Sequence, residues 1–496
     1  MALDCDVLVV GCGIAGTSAA VSAMQQGARV RVLERSPIDE RGGNSRYTGG
    51  NLRMKSDTEV TDDLAELLVQ TSELFVHHSL KELTLKPYAE WPPVLRAYGF
   101  ADPGLVAAFV DNAPGAVAWM RDCGVRLASS VNPASGVPCL ETVGGGEAAV
   151  ETLAQAAETG GVQFHYETAG RALIVDDDGS VIGVRARSRA EGQVTFSCSS
   201  VILAAGGFEG NLEMATRYLG PDAYRLRPVC RGGMYNKGEG IRMALDIGAA
   251  PAGQYDGFHA MICDPRSRHT ESIKPWNYGI LVNNQGHRFV DEGSDSRARI
   301  SDQIGRAILH QPDGRAFFVY DEKLESIPHF RRQIGSEHDP FTASSIEDLA
   351  TLIGVNPTNL RNTIDSFNAA VQPGEFTPVV PDGKCTKGIV PPRSNWARPI
   401  DGPTFMAYPL ECTNVFTFGG LRVSPTAQVV DNEGDEIPGL YAAGEIVGLY
   451  YGLYSSATSY LRGLVFGRLA GLNAARASVP AGPPTTKIAE HKVSNA

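Results

Sequence analysis

Short apolar runs alternate with segments of helical periodicity along this chain. Residues 6–10 and 29–33 are apolar runs typical of buried strands in a parallel sheet, and the helix-like residues 17–26 lie between them. Residues 61 to about 125 indicate helices, since apolar positions recur at helical spacing from residue 62 to residue 74. This order of strands and helices predicts an α/β fold.

A β-meander and a terminal helix complete the predicted elements. Residues 171–176 and 181–186 flank an Asp-Asp-Gly hairpin signal at 177–179, and an apolar run at 201–206 follows them. Residues 459–476 have the pattern of a long helix. We find no internal repeat.

Glycine is over-represented and clustered. It makes up 55 of the 496 residues, about 11 % against an average near 7 %. Most clusters follow apolar, strand-like runs and lack the serine-rich composition of a flexible linker. Such glycines indicate tight strand-to-helix turns, or places where the backbone approaches a ligand closely.

The first cluster has the spacing of a dinucleotide-binding turn. Gly11, Gly13 and Gly16 form a GxGxxG motif between the first apolar run and a helix, and Glu34 follows 23 positions after the first glycine. In this context Gly11 allows the turn, Gly13 lets the backbone meet a pyrophosphate, and Gly16 allows close helix–strand packing. Glu34 is expected to accept the ribose hydroxyls.

Charge and cysteine content exclude several classes of function. The net charge of −12 disfavours a nucleic-acid partner, and no run of about 18 apolar residues predicts a membrane span. The nine cysteines are scattered and form no CxxC pair, so neither a zinc ribbon nor a haem attachment is predicted, and we expect no metal site. The acidic start at residues 1–6 does not resemble a signal peptide, and we expect a reducing, cytoplasmic location.

Four further segments carry a family resemblance: residues 42–46 (GGNSR), 202–208 (ILAAGGF), 288–293 (RFVDEG) and 441–445 (YAAGE). With the GxGxxG motif they make the chain resemble the flavoprotein superfamily of fumarate reductase, succinate dehydrogenase and 3-ketosteroid Δ1-dehydrogenase. Within it the chain looks most like FAD-dependent tricarballylate dehydrogenases. The resemblance runs from residue 6 to about residue 472.

The resemblance implies FAD and a particular division of the chain. It implies an α/β architecture, in which a Rossmann-like FAD-binding domain is built from two chain segments with an inserted α+β capping domain. We assign residues 1–245 to the first part of the FAD-binding domain, 246–395 to the capping domain and 396–478 to the return segment. Residues 479–496, rich in proline and polar side chains, are expected to form a mobile tail.

The cofactor-binding residues that we predict come from the glycine turns and the loops beside them: Gly11, Gly13, Ile14, Ala15, Gly16, Glu34, Arg35, Gly43, Asn44, Ser45, Thr48, Gly49, Gly50, Ala205, Gly206, Gly444, Glu445 and Ser456. Covalent members of the superfamily attach FAD through a histidine in the loop that here contains Ser45 and Thr48, and no histidine lies there. We therefore expect non-covalent FAD.

Arg297 is the candidate proton carrier. In fumarate reductases an arginine shortly after the segment that matches residues 288–292 shuttles the proton, although the spacing here is one residue longer. Because an arginine is a poor base in water, the role requires a relay through a neighbour such as Glu292 or Asp295. The alternative is a surface arginine that is paired with those acids.

His259 lies in a segment, residues 254–259, that resembles the one supplying a substrate-binding histidine in fumarate reductases. A hydrogen bond from His259 to a substrate carboxylate or carbonyl would follow from this resemblance. The alternative is a structural histidine with satisfied hydrogen bonds.

Two departures from the fumarate reductase pattern argue against fumarate and succinate as substrates. Residues 414–418 (NVFTF) replace a segment with a second substrate histidine, and a serine stands where a carboxylate-clamping arginine is expected. Nearby tyrosines could act instead, and Tyr454 is the candidate among them for an acid or carbonyl-binding group. The alternative is aromatic packing of this turn against the flavin domain. Arg462 is a possible replacement for the missing arginine, and Arg53 is a further possible anion ligand.

The sequence thus predicts an FAD-dependent oxidoreductase that acts on a small molecule at a carbon–carbon bond next to a carboxylate or ketone, as in tricarballylate dehydrogenases. Electrons would pass to a separate partner, because the chain has no haem motif and no iron–sulfur cysteine spacing. The alternatives are a 3-ketosteroid Δ1-dehydrogenase-like enzyme with an apolar substrate, an amine or amino-acid oxidase, and a flavin-binding protein without activity.

Overall fold

The structure is a computed structural model that describes residues 3–73, 90, 92, 101–131, 137–268 and 271–478. The tail predicted to be mobile, 479–496, lies outside the described residues, as does most of the predicted helical stretch between residues 74 and 100.

The strands and helices are numbered here in chain order. The strands are β1 (Val7–Val10), β2 (Val30–Leu33), β3 (Asn51–Leu52), β4 (Leu127–Val131), β5 (Pro138–Thr142), β6 (Gln163–His165), β7 (Thr168–Val175), β8 (Val181–Ser188), β9 (Gly192–Ser197), β10 (Ser200–Leu203), β11 (Arg227–Pro228), β12 (Pro251–Ala252), β13 (Phe258–Cys263), β14 (Ile280–Asn283), β15 (Arg315–Asp321), β16 (Phe341–Ala343), β17 (Phe405–Thr417), β18 (Gly420–Leu421), β19 (Gln428–Val430) and β20 (Glu436–Ala442). The helices are α1 (Ile14–Gln25), α2 (Gly43–Arg46), α3 (Leu64–Glu73), α4 (Pro103–Asp122), α5 (Gly145–Thr159), α6 (Leu212–Leu219), α7 (Glu239–Leu245), α8 (Arg297–Leu309), α9 (Ile346–Ile353), α10 (Pro357–Ala370) and α11 (Ser459–Ser478).

The first sheet has the order β19-β20-β10-β1-β2-β6. All of its pairings are parallel except that of β19 with β20. The four residues of β1 are buried, as an apolar central strand covered on both faces requires. The helix α1 connects β1 to β2, so the predicted strand–glycine turn–helix unit is confirmed.

Helix α11 packs tightly against α1 because glycines of α11 face α1. A Cβ atom added at Gly467 would lie 2.4 Å from the carbonyl oxygen of Ala15, and one added at Gly471 would lie 2.3 Å from that of Ala19. The close approach brings the N-terminus of α11 beside the first glycine turn. The two helices thus join residues more than 440 positions apart in one layer.

The second sheet is organised around the long strand β17. It has the order β11-β17-β15-β14, and β13 and β16 also pair with β17. Helix α8 packs against β13, where a Cβ at Gly305 would lie 2.6 Å from the Cβ of Ala260. Although the sequence assigned residues 396–478 to the return segment, β17 forms the centre of this second sheet. The domain boundaries themselves stay a prediction.

The predicted hairpin of β7 and β8 is confirmed, whereas the third strand of the meander, β9, was not predicted, and the apolar run at 201–206 overlaps β10 of the first sheet. Strands β7, β8 and β9 form an antiparallel sheet, and the turn between β7 and β8 is held by Asp176, whose Oδ1 accepts the N–H groups of Asp178 and Ser180. Gly179 takes the left-handed conformation that this turn needs, with a φ of 82°. None of the helices in the described ranges is long and apolar enough to cross a membrane.

Candidate functional site

A deep cleft opens at the carboxyl ends of the parallel strands, where ligands bind in sheets of this topology. It encloses about 1200 Å³ of non-protein space, open solvent included. Fourteen predicted cofactor residues line it: Gly11, Gly13, Ile14, Ala15, Glu34, Arg35, Gly43, Asn44, Ser45, Thr48, Ala205, Gly206, Gly444 and Glu445.

The first glycine turn is shaped by close backbone contacts. A Cβ at Gly11 would lie 2.3 Å from the carbonyl oxygen of Ala204, and a Cβ at Gly16 would lie 2.0 Å from that of Gly11. Gly13 has more room, because its nearest neighbour would be the hydroxyl of Ser45 at 3.2 Å. Gly11 and Gly16 are therefore required by the fold, whereas Gly13 keeps the wall of the cleft open above the start of α1.

Glu34 closes one side of this turn. Its carboxylate accepts the backbone N–H groups of Cys12 and Ser36, both at 2.8 Å. Burial raises the pKa of Glu34 in spite of these two hydrogen bonds. Each carboxyl oxygen has a further lone pair, so the side chain can still accept hydroxyl groups of a ligand.

The loop that follows is tied to the start of α1. Ser45, in the short helix α2, accepts the N–H of Ile14 through its Oγ at 3.1 Å. Arg35 lines the cleft but is ion-paired with Glu239, which also pairs with Arg171 at 3.0 Å. Arg35 is thus a partly neutralised cation.

A network of amides and carboxyls forms part of the cleft wall and continues behind it. Asn236 donates through Nδ2 to Glu209 at 2.6 Å and to Glu445 at 3.3 Å, and Asn44 donates to the same Glu209 oxygen at 2.6 Å. Thr417 donates its backbone N–H to Glu445 at 2.9 Å. Burial, together with the nearby charge of Glu445, raises the pKa of Glu209 well above its usual range, and burial raises the pKa of Glu445.

Glycines make room for this network, because a Cβ at Gly207 would lie 2.1 Å from both Glu445 Oε1 and Thr417 Oγ1. Sequence reasoning missed Glu209. It directly follows the predicted segment 202–208, and this position was the signal that could have identified it.

Four predicted cofactor residues do not line the cleft. Gly16 lies inside α1, and Gly50 is packed against Thr142, whose Oγ1 would lie 1.9 Å from an added Cβ. Gly49 lies beside Asn51. The carbonyl of Ser456 accepts a hydrogen bond from Arg53 at 3.1 Å.

Arg53 itself is buried in hydrogen bonds to protein groups. Besides the carbonyl of Ser456, its guanidinium donates to Thr61 at 2.9 Å and to Asp63 at 2.6 Å. Because these partners occupy the guanidinium, nothing supports Arg53 as an anion ligand.

Arg462 is a buried cation in the wall of the cleft. It is 1 % exposed and lies in the first turn of α11. Its guanidinium donates to the carbonyl of Val447 at 3.0 Å and lies over the ring of Tyr450 at 4.6 Å. Its Nε has no hydrogen-bond partner among the described residues. Glu445 compensates part of this buried charge, because the charge of Arg462 lowers the pKa of Glu445 against the effect of burial.

His259 and Tyr454 come together against Phe416, which lines the cleft. The ring centroids of His259 and Tyr454 are 4.5 Å apart, and Phe416 lies 5.4 Å from His259 and 5.0 Å from Tyr454. Phe418 and Tyr450 extend this group, each less than 6 Å from Phe416. We call these five rings, His259, Phe416, Phe418, Tyr450 and Tyr454, the aromatic cluster.

The hydroxyl of Tyr454 is held by the start of α11. Its Oη accepts the backbone N–H groups of Thr458 at 3.2 Å and Ser459 at 3.3 Å, and lies 3.0 Å from the Ser459 hydroxyl. Because these N–H groups carry the positive end of the helix dipole, they polarise the O–H bond. The hydroxyl groups of Tyr450 and Thr458 are hydrogen-bonded at 2.8 Å, and Tyr450 is fully buried. These observations indicate that Tyr450 has a packing role.

Asp302 was not identified from the sequence. Its Oδ1 lies 2.7 Å from His259 Nδ1 and accepts the N–H of Ala260 at 2.8 Å, and its Oδ2 accepts the N–H of Tyr454 at 3.4 Å. Asp302 is buried in the middle of α8. Its position in an otherwise ordinary amphipathic helix gave no sequence signal.

Arg297 is the first residue of the same helix, α8, and its side chain is hydrogen-bonded to other parts of the protein. Its guanidinium donates to the carbonyl of Lys274 and to Gln333, both at 3.2 Å. Burial lowers the pKa of Arg297. It does not line the cleft, and it lies on the element that also carries Asp302.

Glu292 is engaged in a buried ion-pair network. It pairs with Arg288 at 2.6 Å and with Arg393 at 3.0 Å, and it accepts the N–H of Leu281 at 2.8 Å. Burial alone would raise the pKa of Glu292, but the charges of Arg288 and Arg393 outweigh it and lower that pKa. These contacts support a structural role, and none of them carries the predicted proton relay to Arg297.

The residues fit a dinucleotide cofactor. Bare backbone at Gly13, the start of α1 and an acid after β2 form the cradle that a pyrophosphate and a ribose need. Within the described part of the chain no group of three or more His, Cys, Asp or Glu side chains is placed to hold a metal ion.

Comparison with known proteins agrees with this geometry. A family model described as "FAD binding domain" matches residues 6–461. The chain is 28 % identical over 486 residues to a fumarate reductase (cytochrome) of Shewanella frigidimarina. The matched region covers 95 % of this chain and 77 % of that protein. It is 26 % identical over 507 residues to a vinyl phenol reductase of Lactiplantibacillus plantarum, with 95 % and 96 % covered.

Among solved structures, the 3-ketosteroid Δ1-dehydrogenase of Sterolibacterium denitrificans is similar, with a TM-score of 0.70 at 19 % identity. The similarity covers 95 % of this chain and 99 % of that one. At this identity the similarity concerns the fold alone. The predicted fold class and the resemblance on which it was based are confirmed.

Proposed function

The chain belongs to the FAD binding domain family, and from this membership we propose that this FAD-dependent oxidoreductase acts on a carbon–carbon double bond, or its saturated counterpart, next to a carbonyl or carboxylate. Bound FAD would accept or deliver the hydride. The protein has to bind the substrate, exclude water and supply the second proton.

The aromatic cluster is the observation that carries the choice of substrate class. Phe416 lies in the cleft wall in the segment where fumarate reductases have a histidine, and His259 and Tyr454 pack directly against it. A cleft wall with an aromatic ring favours a planar, conjugated and largely apolar substrate. The name of the relative from Lactiplantibacillus plantarum, a vinyl phenol reductase, is consistent with this class.

A tricarboxylate substrate has less support. Three carboxylates would need several cations, and among the described residues that line the cleft the arginines are Arg35 and Arg462. Arg35 is already paired with Glu239. We therefore rank a conjugated ketone or aryl alkene ahead of a tricarballylate-like acid, and we rank both ahead of an amine.

Three residues are assigned to the reaction. His259 would bind the polar end of the substrate, and Tyr454 would donate a hydrogen bond to its carbonyl or phenol oxygen. Arg297 would supply the proton, as the resemblance to fumarate reductases implies. These assignments rest on the resemblance to fumarate reductases and on the packing of His259 against Tyr454.

FAD would be held by the residues of the first glycine turn, by Glu34, and by Ser45 and its neighbours. We propose non-covalent binding, because the loop around Ser45 has no histidine to form a bond. Acid precipitation checks this proposal: the yellow colour should leave with the supernatant, and colour retained in the pellet would refute it.

A separate electron partner and a reducing compartment complete the proposal. All nine cysteines are free, which suits a reducing compartment such as the cytoplasm. A small redox protein or a reduced nicotinamide is the class of donor that we expect.

The deciding experiment is an anaerobic absorbance assay of the purified holoprotein. The oxidised form is mixed with saturated acids and ketones, and the reduced form with 4-vinylphenol, an enone, fumarate and cis-aconitate. We expect reduced FAD to be reoxidised by 4-vinylphenol or the enone. Turnover of fumarate or cis-aconitate alone would overturn the substrate class, and peroxide formation with an amine would overturn the reaction type.

A matched pair of variants links the result to the aromatic cluster. Phe416→Leu keeps an apolar side chain but removes the ring in the cleft, and it should raise KM for an aromatic substrate about fivefold, by the loss of roughly 1 kcal/mol of ring contact. Phe317→Leu removes a half-buried ring of the second sheet and serves as the control. Equal effects of both variants would contradict a substrate contact at Phe416.

A further inference from the structure

Asp302 links two candidate site residues that are almost 200 positions apart in sequence. Its Oδ1 reaches His259 Nδ1, and its Oδ2 accepts the N–H of Tyr454. We propose that Asp302 is a positioning residue, which keeps the proton of neutral His259 on Nδ1 and leaves Nε2 as the atom that meets the substrate. This inference rests on the proposed function, because it takes His259 to bind the substrate.

The backbone around His259 is built to receive this carboxylate. The pairing of β13 with β17 shifts register between His259 and Ala260, so a bulge interrupts the ladder at that point. The N–H of Ala260 donates to Asp302 Oδ1 at 2.8 Å. Bulges of this kind re-aim a side chain next to a functional site.

The packing of α8 fixes the distance. Because Gly305 has no side chain, α8 approaches β13 until a Cβ at this position would lie 2.6 Å from that of Ala260. Asp302 is 5 % exposed, one turn earlier on the same helix. A buried carboxylate needs strong hydrogen-bond donors. Asp302 has the imidazole of His259 and the backbone N–H groups of Ala260 and Tyr454.

The chemistry follows from the tautomer. A histidine whose Nδ1–H is held by a carboxylate presents the lone pair of Nε2, or its proton when the ring is charged. The second contact, to the backbone of Tyr454, keeps the phenol in register with the imidazole. Asp302 would therefore position both of the polar groups, His259 and Tyr454, that contact the substrate.

A nuclear magnetic resonance experiment tests the tautomer without any substrate. The holoprotein is labelled with ¹⁵N-histidine, and the His259 signals are assigned by their loss in His259→Gln. At a pH where the ring is neutral, we expect an Nδ1–H tautomer in the wild type and in Asp302→Asn, since asparagine keeps an acceptor oxygen. Asp302→Ala should shift His259 toward the Nε2–H form. An Nε2–H tautomer in the wild type, or unchanged signals in Asp302→Ala, would overturn the proposal.

Kinetics supply the second readout once a substrate is found. Asp302→Ala should lower kcat/KM about 10- to 100-fold, the usual effect of losing a histidine's orienting partner, and Asp302→Asn should restore most of it. In a His259→Gln background, Asp302→Ala should add less than about threefold, because it acts through the same ring. Full additivity would overturn the proposal, and so would a loss in Asp302→Asn as large as that in Asp302→Ala.

The control is Asp365→Ala, which removes an exposed acid of α10 that lies 3.7 Å from Arg361. It should leave the histidine signals and the kinetics unchanged. If Asp302→Ala does not fold, Asp302→Asn and the wild-type tautomer still decide the question. The failure of every substrate in the wild type would count against the proposed function alone, since the tautomer result needs none.

Discussion

The carboxyl groups of Glu209 and Glu445 meet at one amide, because Asn236 Nδ2 lies 2.6 Å from Glu209 Oε1 and 3.3 Å from Glu445 Oε2. Glu209 is buried and Glu445 is half-buried in the cleft wall. Glu209 Oε2 has no partner among the described residues. Two carboxylates this close cannot both ionise cheaply. The pair therefore favours a shared proton in the folded protein.

Glu209→Gln should change the pH dependence of stability. Burial raises the pKa of Glu209, so the folded protein keeps a proton that the unfolded chain releases above about pH 4.3. Stability from this proton is complete below the unfolded pKa and is lost as the pH rises toward the folded pKa. The Tm of Glu209→Gln relative to the wild type should therefore rise between about pH 5 and pH 8.

Thermal unfolding across this range measures the effect. Glu433→Gln, which changes an exposed glutamate, is the control and should follow the wild type at every pH. A constant difference between Glu209→Gln and the wild type would contradict a raised pKa at Glu209.

Two glycines of the first turn should respond differently to alanine. In Gly16→Ala the new Cβ would lie 2.0 Å from a backbone oxygen, and overpacking of this kind costs about 1–3 kcal/mol or more of stability. In Gly13→Ala the nearest atom is the movable Ser45 hydroxyl at 3.2 Å, so the protein should fold. Its affinity for FAD should fall about tenfold or more, because the methyl group occupies the place of a phosphate contact.

Thermal unfolding and a fluorescence titration of the apoprotein with FAD separate the two effects. Gly115→Ala, in α4, has 3.6 Å of room around its Cβ and is the control for an alanine replacing a helical glycine. Wild-type FAD affinity in Gly13→Ala would refute a cofactor contact at that residue.

The sequence predicted the glycine turn well because its determinants are local. Gly11, Gly16 and the adjacent apolar strand specify one another within a few residues, and the structure retains all three. Asp302 and Glu209 could not be predicted in the same way, because their partners come from a bulge in β13 and from a loop elsewhere in the chain. The ion-pair network of Glu292 could not be predicted for the same reason, since its partner Arg393 is 101 positions away; the relay role of Glu292 stays a prediction.

Glu292→Gln should destabilise the protein while leaving the chemistry of each folded molecule intact. The change leaves Arg288 and Arg393 buried with their shared charge removed, and breaking a buried pair in this way costs about 3–5 kcal/mol. Chemical denaturation should show the loss, and active-site titration of bound FAD gives kcat for each folded molecule. A loss of kcat without a loss of stability would restore the relay role. Glu433→Gln, which changes an exposed glutamate, serves as the comparison.

Arg462→Met should lower the reduction potential of bound FAD. Arg462 is a buried cation in the cleft wall, and a flavin becomes more negative when it is reduced, so the cation favours the reduced form. Loss of about 1.4 to 3 kcal/mol of this interaction corresponds to about 30 to 60 mV for two electrons. Equilibration with a reference dye measures the potential. Arg476→Met, near the exposed end of the same helix, is the control and should not change the potential. An unchanged potential in Arg462→Met would contradict an electrostatic effect of Arg462 on the flavin.

Arg297→Ala should abolish proton delivery while FAD stays bound. Arg297 lies outside the cleft wall, so flavin content and its visible spectrum should match the wild type. Burial lowers the pKa of Arg297, which makes its protonated form a better acid than an exposed arginine. We expect kcat to fall about 10²- to 10⁴-fold, with partial recovery in Arg297→Lys because the ammonium group can also give a proton. Arg299→Ala, an exposed neighbour on the same helix, controls for changes in α8. Normal turnover in Arg297→Ala with normal flavin content would eliminate Arg297 and leave Tyr454 as the candidate acid.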